Sequence, residues 1–260
     1  MNAIAVEIRD TELGAALAAP ERLLSLPGVR FVKDHRRTAV AAAALGGREV
    51  FVKRFKPYAW YRRLEWWLTS TPARRCWQRS LELERAGFRV APALAFGETR
   101  WLGLPADSYF VSGSLAGAEP AGRFWLTRSA TIACAERRAL LRALARELRR
   151  FHDAGFYSRD ANADNFLVTV HPEGGAEFFL LDLEHVRRIG RVSRRRRAKN
   201  IVQLYRPIRG RVPLADRVRF VRAYLGETAA GLAAWLDDLA RLDDKKETEY
   251  RARRRRRRAD

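Results

Sequence analysis

The first half of the chain has the hydrophobic pattern of short β-strands. Residues 49–55 (EVFVKRF) alternate between apolar and polar positions, which is typical of a half-buried strand. Gly46-Gly47 precedes this run and predicts a hairpin turn after the small apolar stretch 38–45. Further β-prone runs, expected to belong to the same sheet, occur at 29–33, 90–96 and 108–111.

Two helices interrupt these strands. The first is expected over 58–68. The second is expected over 73–86, because Pro72 suits a first helical position and Gly87 ends the pattern.

The second half is mainly helical. Residues 135–153 place apolar side chains at helical spacing, with an arginine-rich outer face. The runs 165–170 and 178–183, separated by the turn residues 171–175, predict a β-hairpin. Later helices are expected at 198–205, 214–225 and 229–242.

These elements predict an α+β protein whose character changes near residues 113–122. We expect a β-rich N-terminal lobe over 1–112 that also carries the two helices. A mainly helical C-terminal lobe over 113–242 follows, and then a basic tail over 243–260.

The composition is that of a globular protein with a large positive charge. With 260 residues, 47% hydrophobic content and a net charge of +21, the chain is neither disordered, fibrous nor a disulfide scaffold. Cys76 and Cys134 are interpreted as reduced thiols. No apolar run approaches the roughly 18 residues of a membrane span, and residues 1–9 lack a secretory pattern. We therefore expect a cytoplasmic protein that favours anionic partners.

The charge is concentrated in two arginine-rich blocks, at 187–199 and at 251–258 (RARRRRRR). The second block has nothing apolar to bury, so the tail is expected to be disordered. A solvated tail, an RNA-binding arm and an electrostatic anchor on an anionic membrane would share this pattern. We favour the membrane anchor and expect no specific nucleic acid.

A spaced set of polar residues suggests phosphoryl transfer. Asp160 lies in a loop, Asn165 follows five positions later at the start of the predicted hairpin, and Asp182 ends its second strand. Transfer from ATP needs a carboxylate for the attacking hydroxyl, and an amide oxygen and a second carboxylate for Mg²⁺. Lys53 on the strand 49–55 is placed to bind phosphates from the other lobe.

The order of these features favours a bilobal protein-kinase-like fold. A strand lysine, a helix, further strands, a long helix, an Asp-x4-Asn loop, a hairpin and a final Asp follow one another along the chain.

Several segments resemble the bacterial lipopolysaccharide core kinases, which phosphorylate Kdo or heptose sugars. The resemblance spans about residues 29–225. It is carried by Arg36-Arg37-Thr38 and by the segments 83–88 (LERAGF), 155–160 (GFYSRD), 182–187 (DLEHVR) and 219–225 (RFVRAYL).

The resemblance implies an enzyme that uses ATP and Mg²⁺ to phosphorylate a sugar hydroxyl of the lipopolysaccharide inner core. Such an enzyme is expected to be peripheral on the cytoplasmic face of the inner membrane. A kinase for another small molecule or a protein, or a weak kinase-like module that binds membrane or RNA, are alternatives.

The resemblance also assigns roles by position. Lys53 would bind phosphate, Asp160 would be the base, and Asn165 and Asp182 would bind Mg²⁺. The turn 34–37 has no glycine, so Arg36 and Arg37 are expected to contribute their side chains above the phosphates.

Two positions depart from the family pattern. Cys76 occupies the place of the helix glutamate that pairs with the strand lysine, and Ser158 replaces a scaffold histidine. Glu82 and Glu84 lie on the same predicted helix but roughly 80–120° around it from Cys76. Either the helix register differs and one of them serves, or Lys53 is held in another way.

Two aromatic features complete the sequence picture. His152 is expected to pack or hydrogen-bond at the base of the catalytic loop. Trp60, Trp66 and Trp67 predict either a helix packed on the small lobe or a face at a membrane interface.

Overall fold

The computed structural model describes residues 2–171, 175–226 and 231–259. They form two compact units. Unit 1 comprises Met1–Ala116 and Leu181–Glu184, and unit 2 comprises Gly117–Leu180 and His185–Asp260. The division falls close to the expected lobe boundary at residue 112, but the short segment Leu181–Glu184 was not expected to join the N-terminal part.

Unit 1 is built on a six-stranded antiparallel sheet with the strand order β1-β5-β6-β4-β3-β2. The turn between β3 and β4 uses Gly46 and Gly47 at φ +56° and +75°, conformations that suit glycine in a tight hairpin. The strands are β1 Asn2–Ile8, β2 Arg30–Asp34, β3 Thr38–Leu45, β4 Arg48–Phe55, β5 Ala93–Trp101 and β6 Leu104–Gly113.

Three helices accompany this sheet: α1 Gly14–Leu17, α2 Trp60–Thr69 and α3 Pro72–Arg85. Helix α3 begins as its sequence predicts, because Thr71 caps it by accepting a hydrogen bond from the Arg74 amide and Pro72 occupies its first turn. One face of the sheet packs on α1 through a core that includes Leu17, Val50 and Val111.

Unit 2 consists mainly of helices. They are α4 Ala121–Arg128, α5 Cys134–Asp153, α6 Arg194–Tyr205, α7 Leu214–Leu225 and α8 Leu232–Ala259. Its strands are β7 Glu119–Pro120, β8 Phe156–Ser158, β9 Phe166–Val170, β10 Ala176–Leu180 and β11 Val186–Arg188. They form a sheet of order β10-β9-β7 and the pair β11-β8.

A glycine positions the start of β8. Gly155 ends α5 at φ +84°, and a Cβ there would lie 2.5 Å from the Gly190 carbonyl oxygen. Only glycine permits this close approach of two backbones, which directs the chain from α5 into the loop that carries Asp160.

The structure differs from the sequence expectations in several regions. The sequence did not predict strands β1, β7, β8 and β11 or helices α1 and α4. Helix α8 continues to Ala259, so residues 243–259 are helical where a disordered tail was expected. The turn residues 172–174 and the expected helix start at 229–230 lie outside the described residues.

The first turns of this extension of α8 contact the 3₁₀ segment Arg206–Arg211 through an ion pair and a hydrogen bond. Arg209 lies 3.2 Å from Asp243, and Arg206 donates to the Lys246 carbonyl at 2.9 Å. None of the described helices is long and apolar enough to cross a membrane.

Candidate functional site

Lys53 is fixed in the middle of the unit 1 sheet. It lies on β4 opposite Val40 of β3 and Phe110 of β6, with its side chain 20% exposed. Its Nζ donates to Asp182 Oδ1 and lies 3.4 Å from Glu184 Oε1. The structure therefore brings together two of the residues selected from the sequence, Lys53 and Asp182, and adds Glu184.

The two carboxylates keep Lys53 charged. Burial by itself lowers the pKa of a lysine, but Glu184 and Asp182 outweigh that effect and raise the pKa of Lys53 above its usual value. Lys53 is therefore a cation at neutral pH, as a ligand for phosphate must be.

Helix α3 provides no carboxylate to Lys53. Cys76 is 2% exposed, and burial raises the pKa of its thiol to about 12, so it is neutral at physiological pH. Glu82 pairs with Arg79 on the same helix, and Glu84 pairs with Arg9 at 2.6 Å. Of the two possibilities left by the sequence, Lys53 is held in another way, by Asp182 and Glu184.

Sequence reasoning missed Glu184 because its partner is 131 positions away along the chain. The available signal was the pair of acids two residues apart in the segment 182–187 (DLEHVR). Only the return of Leu181–Glu184 to unit 1 gives the second acid a role.

Asp182 has a left-handed backbone, with φ +55°. This conformation is uncommon for residues other than glycine and is tolerated best by asparagine and aspartate. It occurs between the end of β10 and the 3₁₀ turn Leu183–His185, so Asp182 lies two residues beyond the strand rather than at its last position.

In unit 2, the loop that carries Asp160 is ordered by its own side chains. Asn165 donates through Nδ2 to the Asp160 carbonyl at 2.7 Å. Asn162 accepts from the Asp164 amide at 2.8 Å and caps the 3₁₀ turn Ala163–Asn165, and its Nδ2 lies 3.5 Å from Asp160 Oδ1. Asp160 and Asn165 are thus brought together as the Asp-x4-Asn spacing suggested.

The hairpin of β9 and β10 begins and ends beside these polar residues. Phe166 pairs with Leu180 in the antiparallel register. Asn165 directly precedes Phe166, and Asp182 follows Leu180 by two residues, so both chain positions adjoin the same end of the hairpin.

A buried hydrogen-bond network anchors this loop to the helices of unit 2. Asn200 on α6 accepts from the Ser158 amide at 3.3 Å and donates to the Ser158 carbonyl at 2.7 Å. The two backbone bonds fix the orientation of the Asn200 amide, so His152 Nε2 at 3.1 Å must donate to Asn200 Oδ1. His152 Nδ1 then accepts from the Tyr224 hydroxyl at 2.8 Å.

The network requires a neutral histidine. Burial lowers the pKa of His152 to about 4, and burial raises the pKa of Tyr224 to about 12. The expectation that His152 hydrogen-bonds at the base of the loop is confirmed.

Arg36 and Arg37 lie in the turn between β2 and β3, which is closed by the bond from the His35 amide to the Thr38 carbonyl at 2.9 Å. Arg37 stacks 4.2 Å above the Tyr58 ring, and Arg36 Nη2 is 3.4 Å from the Tyr58 carbonyl. Both arginines are thus held at the end of the chain segment that leads into α2.

A groove of about 940 Å³ on unit 2 is strongly basic. It lies between α5 and α7, and Asp153 is its one acidic lining residue within the described part of the chain. The arginines that line it are Arg138, Arg142, Arg146, Arg149, Arg150, Arg219 and Arg222.

Comparison with known families identifies the chain. Residues 33–224 match the lipopolysaccharide kinase (Kdo/WaaP) family. The chain belongs to this family. The match includes every residue selected from the sequence as a site residue, and it confirms the resemblance found there.

A curated sequence relative agrees with this assignment. The chain is 29% identical over 209 residues to the lipopolysaccharide core heptose(I) kinase WaaP of Pseudomonas aeruginosa, an alignment that covers 74% of this chain and 77% of the relative. A solved structure of WaaP in complex with acyl carrier protein superimposes with a TM-score of 0.69 at 23% identity. It covers 93% of this chain and 99% of the other. This structural similarity establishes the mixed α/β fold.

The buried network predicts that acid destabilises the protein through His152. Because the pKa of His152 is about 4 when folded and 6.5 in its ordinary state, the unfolded chain binds the extra proton between these values. The stability provided by the neutral imidazole is complete above pH 6.5 and is lost as the pH falls towards 4, by roughly 3 kcal/mol. Urea unfolding at a series of pH values, on the wild type and His152→Gln, measures this loss. Parallel pH dependence of the two proteins would contradict the assignment.

Proposed function

We propose that this chain is an ATP-dependent kinase that phosphorylates a sugar hydroxyl, heptose or Kdo, of the lipopolysaccharide inner core. In this proposal, units 1 and 2 are the two lobes of a protein-kinase-like fold. The observation that carries the proposal is the ion-paired Lys53 beside Asp182 and Glu184, in a chain of the lipopolysaccharide kinase family.

Each selected residue has a task in this reaction. Lys53 binds the phosphates of ATP with its retained charge. Asp160 orients the acceptor hydroxyl and receives its proton, and the bonds from Asn162 and Asn165 hold the loop for this task. Catalysis of this kind depends on positioning and charge neutralisation.

The polar residues around the hairpin fit a divalent cation in their donor chemistry. The nitrogen of the Asn165 amide is engaged by the Asp160 carbonyl, which leaves Oδ1 as the atom that can act as a ligand. With the Asp182 carboxylate it makes a set of hard oxygen donors, as Mg²⁺ prefers. When bound, Mg²⁺ neutralises phosphate charge.

Arg36 and Arg37 are proposed to add positive charge above the phosphates. Their turn has no glycine that would let a backbone cradle form, so the contribution comes from the guanidinium groups. Contacts to Tyr58 limit where those groups can go.

We propose that the enzyme works in the cytoplasm, at the inner-membrane surface where a lipid-linked core sugar is presented. The net charge of +21, the arginine groove of unit 2 and the arginines at 251–258 all favour an anionic surface.

The acceptor class is tested by phosphate transfer with the purified full chain. We expect label from γ-labelled ATP to enter a delipidated heptose-containing core, and Asp160→Asn to lower the rate by a factor on the order of 10²–10⁴ at an unchanged thermal unfolding midpoint. A core that ends at Kdo is assayed as a second acceptor, to show whether the label enters heptose or Kdo. Labelling of a generic protein acceptor alone, or full activity of Asp160→Asn, would contradict the proposal.

Glu184 is a positioning residue that can be separated from the helix acids. We expect Glu184→Gln to lower kcat by a factor on the order of 10², since loss of one carboxylate lets Lys53 move from its place. The matched control Glu82→Gln removes the partner of Arg79 and should change kcat by less than about twofold. If Glu82→Gln were the damaging change and Glu184→Gln the silent one, Lys53 would be held from α3.

A further inference from the structure

Helix α2 has its apolar side turned to solvent. At 100° per residue, five large side chains fall within an arc of about 120° on the helix surface: Trp60, Tyr61, Leu64, Trp67 and Leu68. Trp60 is 75% exposed, Trp67 59% and Leu68 74%. The buried tryptophan of this helix is Trp66, at 7% exposure on another side of the helix.

This orientation is the reverse of that in an ordinary surface helix, whose apolar stripe faces the core. Trp66 is the buried large side chain of α2, whereas the other five are 38–75% exposed. The sequence left open a packed helix or a membrane-interface face, and the structure assigns Trp66 to the first and Trp60 and Trp67 to an exposed face.

The turn between β5 and β6 extends this apolar surface. Trp101 and Leu102 are 55% and 80% exposed, and Arg63 of α2 lies 5.2 Å from the Trp101 ring centre. Leu102 has φ +50°, a conformation unfavourable for leucine, at the tip of the turn. Together these residues form the α2 face, which consists of Trp60, Tyr61, Leu64, Trp67, Leu68, Trp101 and Leu102.

The positive charge of the protein indicates which partner binds the α2 face. Among residues 56–75 the basic side chains are Lys56, Arg62, Arg63, Arg74 and Arg75, and the single acid is Glu65. Arg63 flanks the face beside Trp101, whereas Arg62 lies on the opposite side of α2 and pairs with Glu65. Two copies of a chain with net charge +21 repel each other, which disfavours a dimer through this surface. Tryptophan, leucine and flanking arginine are the composition of protein surfaces that lie in the headgroup region of a bilayer.

We propose that the α2 face inserts into the headgroup layer of an anionic lipid bilayer and docks unit 1 on the membrane. Arg63 would meet a lipid phosphate while Trp67, Leu68 and Leu102 enter the acyl boundary. The docking itself is argued from the α2 face alone. Its biological role, which is to bring the enzyme to a lipid-linked acceptor, rests on the proposed function.

Insertion of the α2 face differs from electrostatic attraction of the arginine-rich segment 251–258 to an anionic membrane. Purely electrostatic binding disappears in strong salt, where the screening length falls to about 3 Å. Apolar insertion persists there, because burial of leucine and tryptophan does not depend on screening.

Vesicle flotation of the full chain tests the proposal. The probes are vesicles of phosphatidylethanolamine with phosphatidylglycerol, and vesicles of phosphatidylcholine alone. We expect the wild type to float with the anionic vesicles and to keep part of this binding in strong salt. The double variant Leu68→Gln/Leu102→Asn should bind at least tenfold more weakly, and asparagine suits the left-handed backbone at 102.

The matched control is Leu126→Gln/Leu214→Gln, which removes two exposed leucines from unit 2 and should leave vesicle binding unchanged. Phosphate transfer to a delipidated acceptor should be equal in both variants, so failure of docking and failure of the proposed function are separate results. Equal vesicle binding by the two variants would overturn the proposal. The proposal would also be overturned if Leu68→Gln/Leu102→Asn kept vesicle binding but changed the mass of the protein measured by light scattering. The same holds if this variant kept vesicle binding but lost binding to acyl carrier protein.

Discussion

The retained charge of Lys53 is the constraint on which the rest of the candidate site depends. A lysine amine that is four-fifths removed from water is costly to keep protonated unless anions face it. Asp182 and Glu184 supply them from a segment that belongs to unit 1, although the residues on either side of it along the chain belong to unit 2. The left-handed backbone of Asp182 lies in this segment, so local conformational cost accompanies the placement of these two acids.

At Cys76 the family resemblance implies a helix glutamate, and this arrangement explains how a thiol can occupy the position. The thiol is buried and neutral, so it fills space on α3 without adding charge. A carboxylate there would be a third anion near one lysine, unbalanced without a further cation. The counter-charge of Lys53 therefore comes from Asp182 and Glu184 rather than from α3.

Much of the fold follows from local sequence. The alternation of 49–55, the Gly46-Gly47 turn and the cap of α3 specify structure within a few residues, and each forms as its sequence predicts. The position of β1 depends on pairing with β5, some ninety residues later, which no local pattern reveals. The helix around Asp243 and Lys246 likewise contacts Arg209 and Arg206, which lie 34 and 40 positions earlier, and charge composition does not reveal such contacts. The pairing of Asp160 with Asn165 could be predicted because the two residues are five positions apart. The role of Glu184 could not, because its partner Lys53 is 131 positions away.

Calorimetric titration of Mg²⁺ and ATP tests the central claim most directly, because it measures nucleotide binding apart from any acceptor. The account predicts heat of binding for the wild type and at least tenfold weaker affinity for Lys53→Met, which removes the charge and keeps most of the side-chain volume. One fewer charge-assisted contact to phosphate, worth about 1.5–3 kcal/mol, corresponds to that change. A wild type that releases no heat, or a Lys53→Met variant that binds as tightly as the wild type, would contradict it.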